Sequence, residues 1–162
     1  MAHAVAASLV ALAVAAAQTS TSSPDAFLRG IYEPYLQPGF KGIDTSTPAK
    51  LRRYFDGCLA DAIEKDFKLS KENHELPFLN GDLFTYLQEF GVSDLRIRVS
   101  SLDDRRASGT VTFRSYGEPR MLVLHLVKTG SGWRIVDMES GGRLLSHVLA
   151  QANGSAKCLL TQ

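Results

Sequence analysis

The chain has 162 residues, with 18 basic and 17 acidic side chains and a net charge of +1, a balance that offers no field to hold nucleic acid or an anionic membrane. It carries neither a phosphate-cradling P-loop, a GxGxxG fingerprint nor a Gly-x-Ser-x-Gly elbow, so nucleotide chemistry and serine hydrolysis have no support. What remains is one α+β domain whose function must be sought in its surfaces.

The chain opens on Met1-Ala2-His3 and an alanine-rich apolar run, Ala4 to Ala17, too short to span a bilayer but suited to the core of a secretory signal. Ala15 and Ala17 place the cut before Gln18, although no Lys or Arg precedes the run; a buried N-terminal helix is the other reading. The expected organisation is a signal peptide at 1–17, a disordered linker at 18–23, one domain at 24–151 and a mobile tail at 152–162. Export to the periplasm or beyond follows from that organisation, and no cysteine after the apolar run indicates a lipid anchor.

Ser23-Pro24-Asp25 reads as a helix start: a hydroxyl to cap free amides, proline at the first helical position and a carboxylate at the positive end of the dipole. This helix carries Phe27, Leu28, Ile31 and Tyr35 on one stripe with Tyr32 beside them, and Pro34 kinks or ends it. Thr47-Pro48 repeats the signal ahead of the clearest helix, whose stripe runs Leu51, Tyr54, Phe55, Cys58, Leu59, Ala62, Ile63 and Phe67. Lys68 to Leu76 is polar and aperiodic and reads as an exposed loop. Pro77-Phe78-Leu79-Asn80-Gly81 forms a second loop, after which Asp82 caps a short helix through Leu87.

Val92 to Met138 reads as four strands joined by Asp103-Asp104, Gly117-Glu118-Pro119 and Gly130-Ser131, short joints that favour antiparallel hairpins. A two-residue turn at Gly130-Ser131 pairs Leu126 with Ile135 and Leu124 with Asp137; one at Gly117-Glu118 pairs Phe113 with Leu122 and Val111 with Leu124. One face then gathers Val111, Phe113, Leu122, Leu124, Leu126, Trp133 and Ile135 for the helices to cover. The other gathers Thr110, Thr112, Arg114, Met121, Val123, His125, Arg134, Val136 and Met138, a mixed surface for a partner or a homodimer contact. Gly141-Gly142 breaks the last strand, and Leu144, Leu145, Val148 and Leu149 form a final short helix.

Two readings of Asp137 stand side by side. On the apolar face an unpaired carboxylate has a raised pKa and can act as a general base, with Tyr32 or Tyr35 as hydroxyl donor; at a strand end it pairs with Arg143 or caps the Ser140-Gly141 turn. The binding candidates are His125, Thr110 and Met121 on the mixed face, Trp133, and Phe78 and Asn80 in the loop. No histidine spacing completes a metal site, and no cofactor motif is present. Cys58 and Cys158 can pair in an oxidising compartment, though spacing alone does not show that they meet.

Phe27 with Tyr32 and Tyr35, the Pro77-Phe78-Leu79-Asn80 loop, and Gly132-Trp133-Arg134-Ile135-Val136-Asp137-Met138 followed by Gly141-Gly142 resemble the domain-of-unknown-function 3828 family of exported bacterial proteins, a branch of the nuclear-transport-factor-2-like superfamily. The chain departs from that pattern at Leu76 and Val136, where the family places acids. The resemblance implies helices packed on a curved antiparallel four-stranded meander, a cone-shaped nuclear-transport-factor-2-like or cystatin-like architecture, often dimeric and often with a pocket. Three functions follow as expectations: a non-catalytic envelope module for a protein partner or small apolar ligand, a small lyase or isomerase of the ketosteroid-isomerase type, or an inhibitor or immunity-type protein using Lys68 to Glu75.

Overall fold

The computed structural model describes residues 23–88, 91–156 and 158; the apolar run at 4–17, the cut before Gln18 and the linker up to residue 22 lie outside the described residues. Helix α1 (Pro24–Tyr32) starts where the cap residues place it, with the Ser23 side chain accepting from the Ala26 amide at 3.1 Å. Pro34 ends it, and the chain continues as a short 3-10 turn, Glu33–Leu36.

The long helix expected from Thr47 is broken in two. Helix α2 covers only Pro48–Leu51, and the chain then opens so that Tyr54 and Phe55 lie alongside Ile135: the Ile135 amide donates to the Tyr54 carbonyl at 2.7 Å and the Asp56 amide to the Ile135 carbonyl at 2.9 Å. Asp56 restarts the helix by accepting from the Leu59 amide, and α3 runs Gly57–Asn73. Lys68 to Glu75, expected as an exposed loop, is instead mostly the last turns of α3, closed by His74 in the left-handed region at φ 55°. The short helix expected after Asp82 is only a hydrogen-bonded turn, because Tyr86 takes φ 56° and stops helical propagation.

The sheet is antiparallel and has five strands in sequential order: β1 (Val92–Ser101), β2 (Arg106–Ser115), β3 (Glu118–Thr129), β4 (Gly132–Ser140) and β5 (Arg143–Leu144). The fifth is an addition to the expected four. Gly141 and Gly142, both at positive φ, form a two-residue turn that folds Arg143 back against Ser140 instead of merely ending the strand. Helix α4 (Leu145–Asn153) follows directly.

Two registers differ from expectation. The β2–β3 hairpin turns at Tyr116-Gly117, with φ of 49° and 87°, so Phe113 faces Arg120, Val111 faces Leu122 and His125 faces Ser108 rather than Thr110. The slip is two residues, so every side chain keeps its face. Between β3 and β4, Leu126 pairs with Ile135 as expected, but a bulge at Val136 then sets His125 opposite Asp137 and Leu124 opposite Met138. The bulge turns Met138 from the mixed face into the core, where it is fully buried.

The expected apolar face holds: Val111, Phe113, Leu122, Leu124, Leu126, Trp133 and Ile135 are all buried, together with Leu28, Ile31, Phe55, Leu59 and Phe84 from the helices and loop. At Gly109 a Cβ would run into Leu28 Cδ1, so a larger residue there would require the Leu28 side chain to move from its place between α1 and β2.

The tail is anchored, contrary to the boundary expected at residue 151. Helix α4 runs on to Asn153, whose Nδ2 donates to the Ala62 carbonyl at 3.2 Å, and Lys65 Nζ donates to the Gly154 carbonyl at 3.1 Å. Cys158 is buried and bonded to Cys58 of α3, with the Cα atoms 5.7 Å apart.

Candidate functional site

The loop from Pro77 to Gln88 is held by two carboxylates. Asp66, buried on α3, accepts from the amides of Phe78 at 3.3 Å and Leu79 at 3.0 Å. Asp82 accepts from the Phe84 and Thr85 amides and the Thr85 hydroxyl, each at 3.0 Å, and from the Tyr35 hydroxyl at 2.7 and 2.8 Å. The Tyr32 hydroxyl donates to the Phe84 carbonyl at 3.0 Å, and the Asp82 amide to the Leu87 carbonyl at 2.8 Å. A Cβ at Gly81 would sit 3.1 Å from that same carbonyl, which ties the loop's closure to glycine.

On the other side, α4 is set by Asp137. The Leu144 side chain supplies no cap, so the helix takes its cap from β4: Asp137 Oδ1 accepts from the Ser146 amide at 3.0 Å and the Met138 amide at 2.9 Å, and Oδ2 from the Ser146 hydroxyl at 2.5 Å. Asp137 and Ser146 are both fully buried. Asp137 therefore neither pairs with Arg143 nor caps the Ser140-Gly141 turn; it caps α4. Its carboxylate oxygens are bonded to protein donors and it does not line the pocket described next, so the geometry gives it no position from which to act as a base.

Between the loop and α4 lies a pocket of about 330 Å³, walled by Phe78, Leu79, Leu83, Tyr86, Leu145 and Val148, with Asn80, Asp82, Ser140 and Arg143 as its polar members. Two larger depressions are less suited to an apolar guest. The one near Trp133, about 450 Å³, mixes Phe27, Ile31, Tyr54 and Trp133 with the charged Arg53 and Arg134. The one near Met121, about 410 Å³, is lined largely by charged groups: Asp94, Arg96, Arg114 and Arg120.

The structure divides the expected site residues into separate groups. Phe78, 55% exposed, and Asn80 meet in the pocket. Tyr32 and Tyr35 brace the loop from inside the core. Trp133 is core, while Thr110 and His125 are half-buried and Met121 is 60% exposed on strand positions of the mixed face. Nε2 of His125 is buried without a hydrogen-bond partner among the described residues. Among those residues no three His, Cys, Asp or Glu side chains are grouped to hold a metal ion, and no helix is long and apolar enough to cross a membrane.

Sequence reasoning overlooked Asp66, Tyr86 and Ser146. Asp66 had a legible signal, since it stands three residues after Ile63 on the apolar stripe of α3, where an acid must find donors. Tyr86 and Ser146 had none.

Burial raises the pKa of Tyr32, Tyr35 and Tyr86 above the usual phenol value; the Asp82 carboxylate adds to this at Tyr35 and the Asp137 carboxylate at Tyr86. A folded pKa above the unfolded one favours the neutral folded form, so this stabilisation is complete below pH 10.0 and is lost as pH rises beyond it. In an alkaline titration read at the phenolate band, these three tyrosines are expected to ionise only together with loss of near-ultraviolet dichroism. Independent ionisation of all the tyrosines near the usual phenol value, with the fold intact, would contradict the burial described.

No protein-family model matches the chain, and no curated protein matches it. Among solved structures, the phospholipid-binding protein from Ralstonia solanacearum, determined in complex with a phospholipid, is similar at 15% identity and a TM-score of 0.38, over 60% of this chain and 52% of that one. The chain thus spans about half the length of that protein.

Proposed function

We propose that the chain is an exported, non-catalytic binding module that holds a small apolar molecule in the pocket between the Pro77–Gln88 loop and α4. The observation that carries this reading is the pocket itself: six apolar or aromatic side chains around about 330 Å³, at the lower end of the range for small-molecule sites of roughly 300–1,000 Å³. Its walls are set by hydrogen bonds that Asp66, Asp82 and Asp137 accept from backbone amides, so the cavity is preformed rather than a gap between mobile loops. The Cys58–Cys158 bond supports export, because disulfides persist in oxidising compartments. Helices laid on an antiparallel meander are the arrangement the nuclear-transport-factor-2-like reading requires, while its 3828 branch rests on the sequence resemblance alone.

The test uses N-phenyl-1-naphthylamine, a neutral dye that brightens in apolar sites. Saturable enhancement is expected for the purified oxidised chain and its loss for Val148→Arg, which fills the pocket from a half-buried position on α4. Unsaturable enhancement, or equal enhancement in a folded Val148→Arg variant, would count against the pocket.

A further inference from the structure

The polar members of the pocket are unevenly used. Asp82, the one acid in the lining, has both oxygens engaged by Tyr35 and by the turn at Phe84 and Thr85. Arg143 is exposed on β5 at the rim and makes no ion pair or side-chain hydrogen bond among the described residues. Among the described residues Arg29, Arg52, Arg106 and Arg114 each have an acid and several other exposed arginines do not; what sets Arg143 apart is its place in the lining of this pocket. The hydroxyls of Ser140 and Tyr86, also in the lining, have no side-chain partner among the described residues either. Tyr86 stays neutral at physiological pH, because burial and the nearby Asp137 charge both raise its pKa. The lining therefore presents an apolar wall with a guanidinium at its edge and two hydroxyls beside it.

Building on the pocket reading, we propose that the natural ligand is a single-chain amphiphile with an anionic head, most simply a medium-chain carboxylate, with the head on Arg143 and the chain against Leu83, Leu145 and Val148. The charge at the rim selects the head. A planar guanidinium matches a carboxylate in two-point geometry, whereas a cationic head would be repelled and a neutral one would leave the charge unused. The size selects the tail: about 330 Å³ admits one short chain or ring system rather than two long chains. Each methylene seated on the wall is worth about a factor of four in affinity, so head and tail contribute separately and can be separated experimentally.

Titration calorimetry on the full oxidised chain with decanoate, decan-1-ol, acetate and inorganic phosphate separates these contributions. Decanoate is expected to bind about tenfold or more tightly than decanol, with acetate and phosphate far weaker than either. Arg143→Gln should bring decanoate down to the level of decanol without touching decanol, and Arg143→Lys should restore part of the gap. Arg143 is exposed, so both variants are expected to fold, checked by far-ultraviolet dichroism. Equal binding of decanoate and decanol, or a gap that survives Arg143→Gln, would overturn the assignment of the head while leaving the apolar pocket standing. Phosphate binding as tightly as decanoate would overturn the amphiphile in favour of a plain anion site. Failure of both ten-carbon ligands would overturn the pocket reading with it.

Discussion

Asp137→Ala is expected to destabilise the fold by about 3 kcal/mol or more, since it strands two amides and a hydroxyl in a fully buried position and each unsatisfied group costs roughly 1–3 kcal/mol. The loss falls on the start of α4, where no other side chain can take over the cap. Asp137→Asn keeps one acceptor oxygen for the amides and lets the Ser146 hydroxyl turn to accept, so its cost is expected to be about 1–2 kcal/mol. Urea unfolding followed by circular dichroism measures both. An alanine variant as stable as the parent would mean that α4 does not depend on this carboxylate. Ser146→Ala provides the internal comparison, because it removes the hydroxyl but leaves the amide bonds to Asp137 in place.

Reducing the Cys58–Cys158 bond is expected to cost about 2–5 kcal/mol, since it links positions 100 residues apart and closes a long loop in the unfolded chain. Unfolding curves with and without dithiothreitol read this directly, and the Cys58→Ser, Cys158→Ser double variant should match the reduced parent. A thiol titration of the unfolded, non-reduced chain should find no free cysteine among the two. Identical midpoints with and without reductant would show that the sulfur bond adds nothing to the stability of the fold.

What could be read in the sequence follows the range of the interactions. Ser23-Pro24 and Thr47-Pro48 start helices because capping and proline geometry act within four residues, and both starts are in place. The division of strand residues into two faces was legible for the same reason, since alternation is local and survives a slip of two. What failed depended on partners far along the chain. The helix from Thr47 breaks because Tyr54 and Phe55 pair with Ile135, eighty residues on, and no periodicity announces that. The bulge at Val136 carries Met138 inward, and a two-residue fifth strand is too short for any alternation to show. Asp137 was legible as a carboxylate on the apolar face or as the cap of the Ser140-Gly141 turn, but not as the cap of α4, because that helix begins after an intervening hairpin turn. The pocket was half legible: Phe78 and Asn80 in the loop, but not Tyr86 or the position of Arg143 on the strand that follows Gly142.

The placement of α4 joins the two features whose loss is expected to cost most. One end of the helix is held by Asp137 at Ser146, and just past the other end Cys158 is bonded to α3. Val148 stands between those two fixings and Leu145 immediately before the first; together they form one wall of the pocket, while the wall opposite is a loop. If the sulfur bond beyond that helix tightens the grip on a guest resting on it, the effect runs both ways. By whatever factor oxidation tightens the grip on the guest, the bound guest makes the bond harder to reduce by the same factor. Guest affinity measured with and without reductant would then change by the same factor as the bond's reduction equilibrium measured with and without guest.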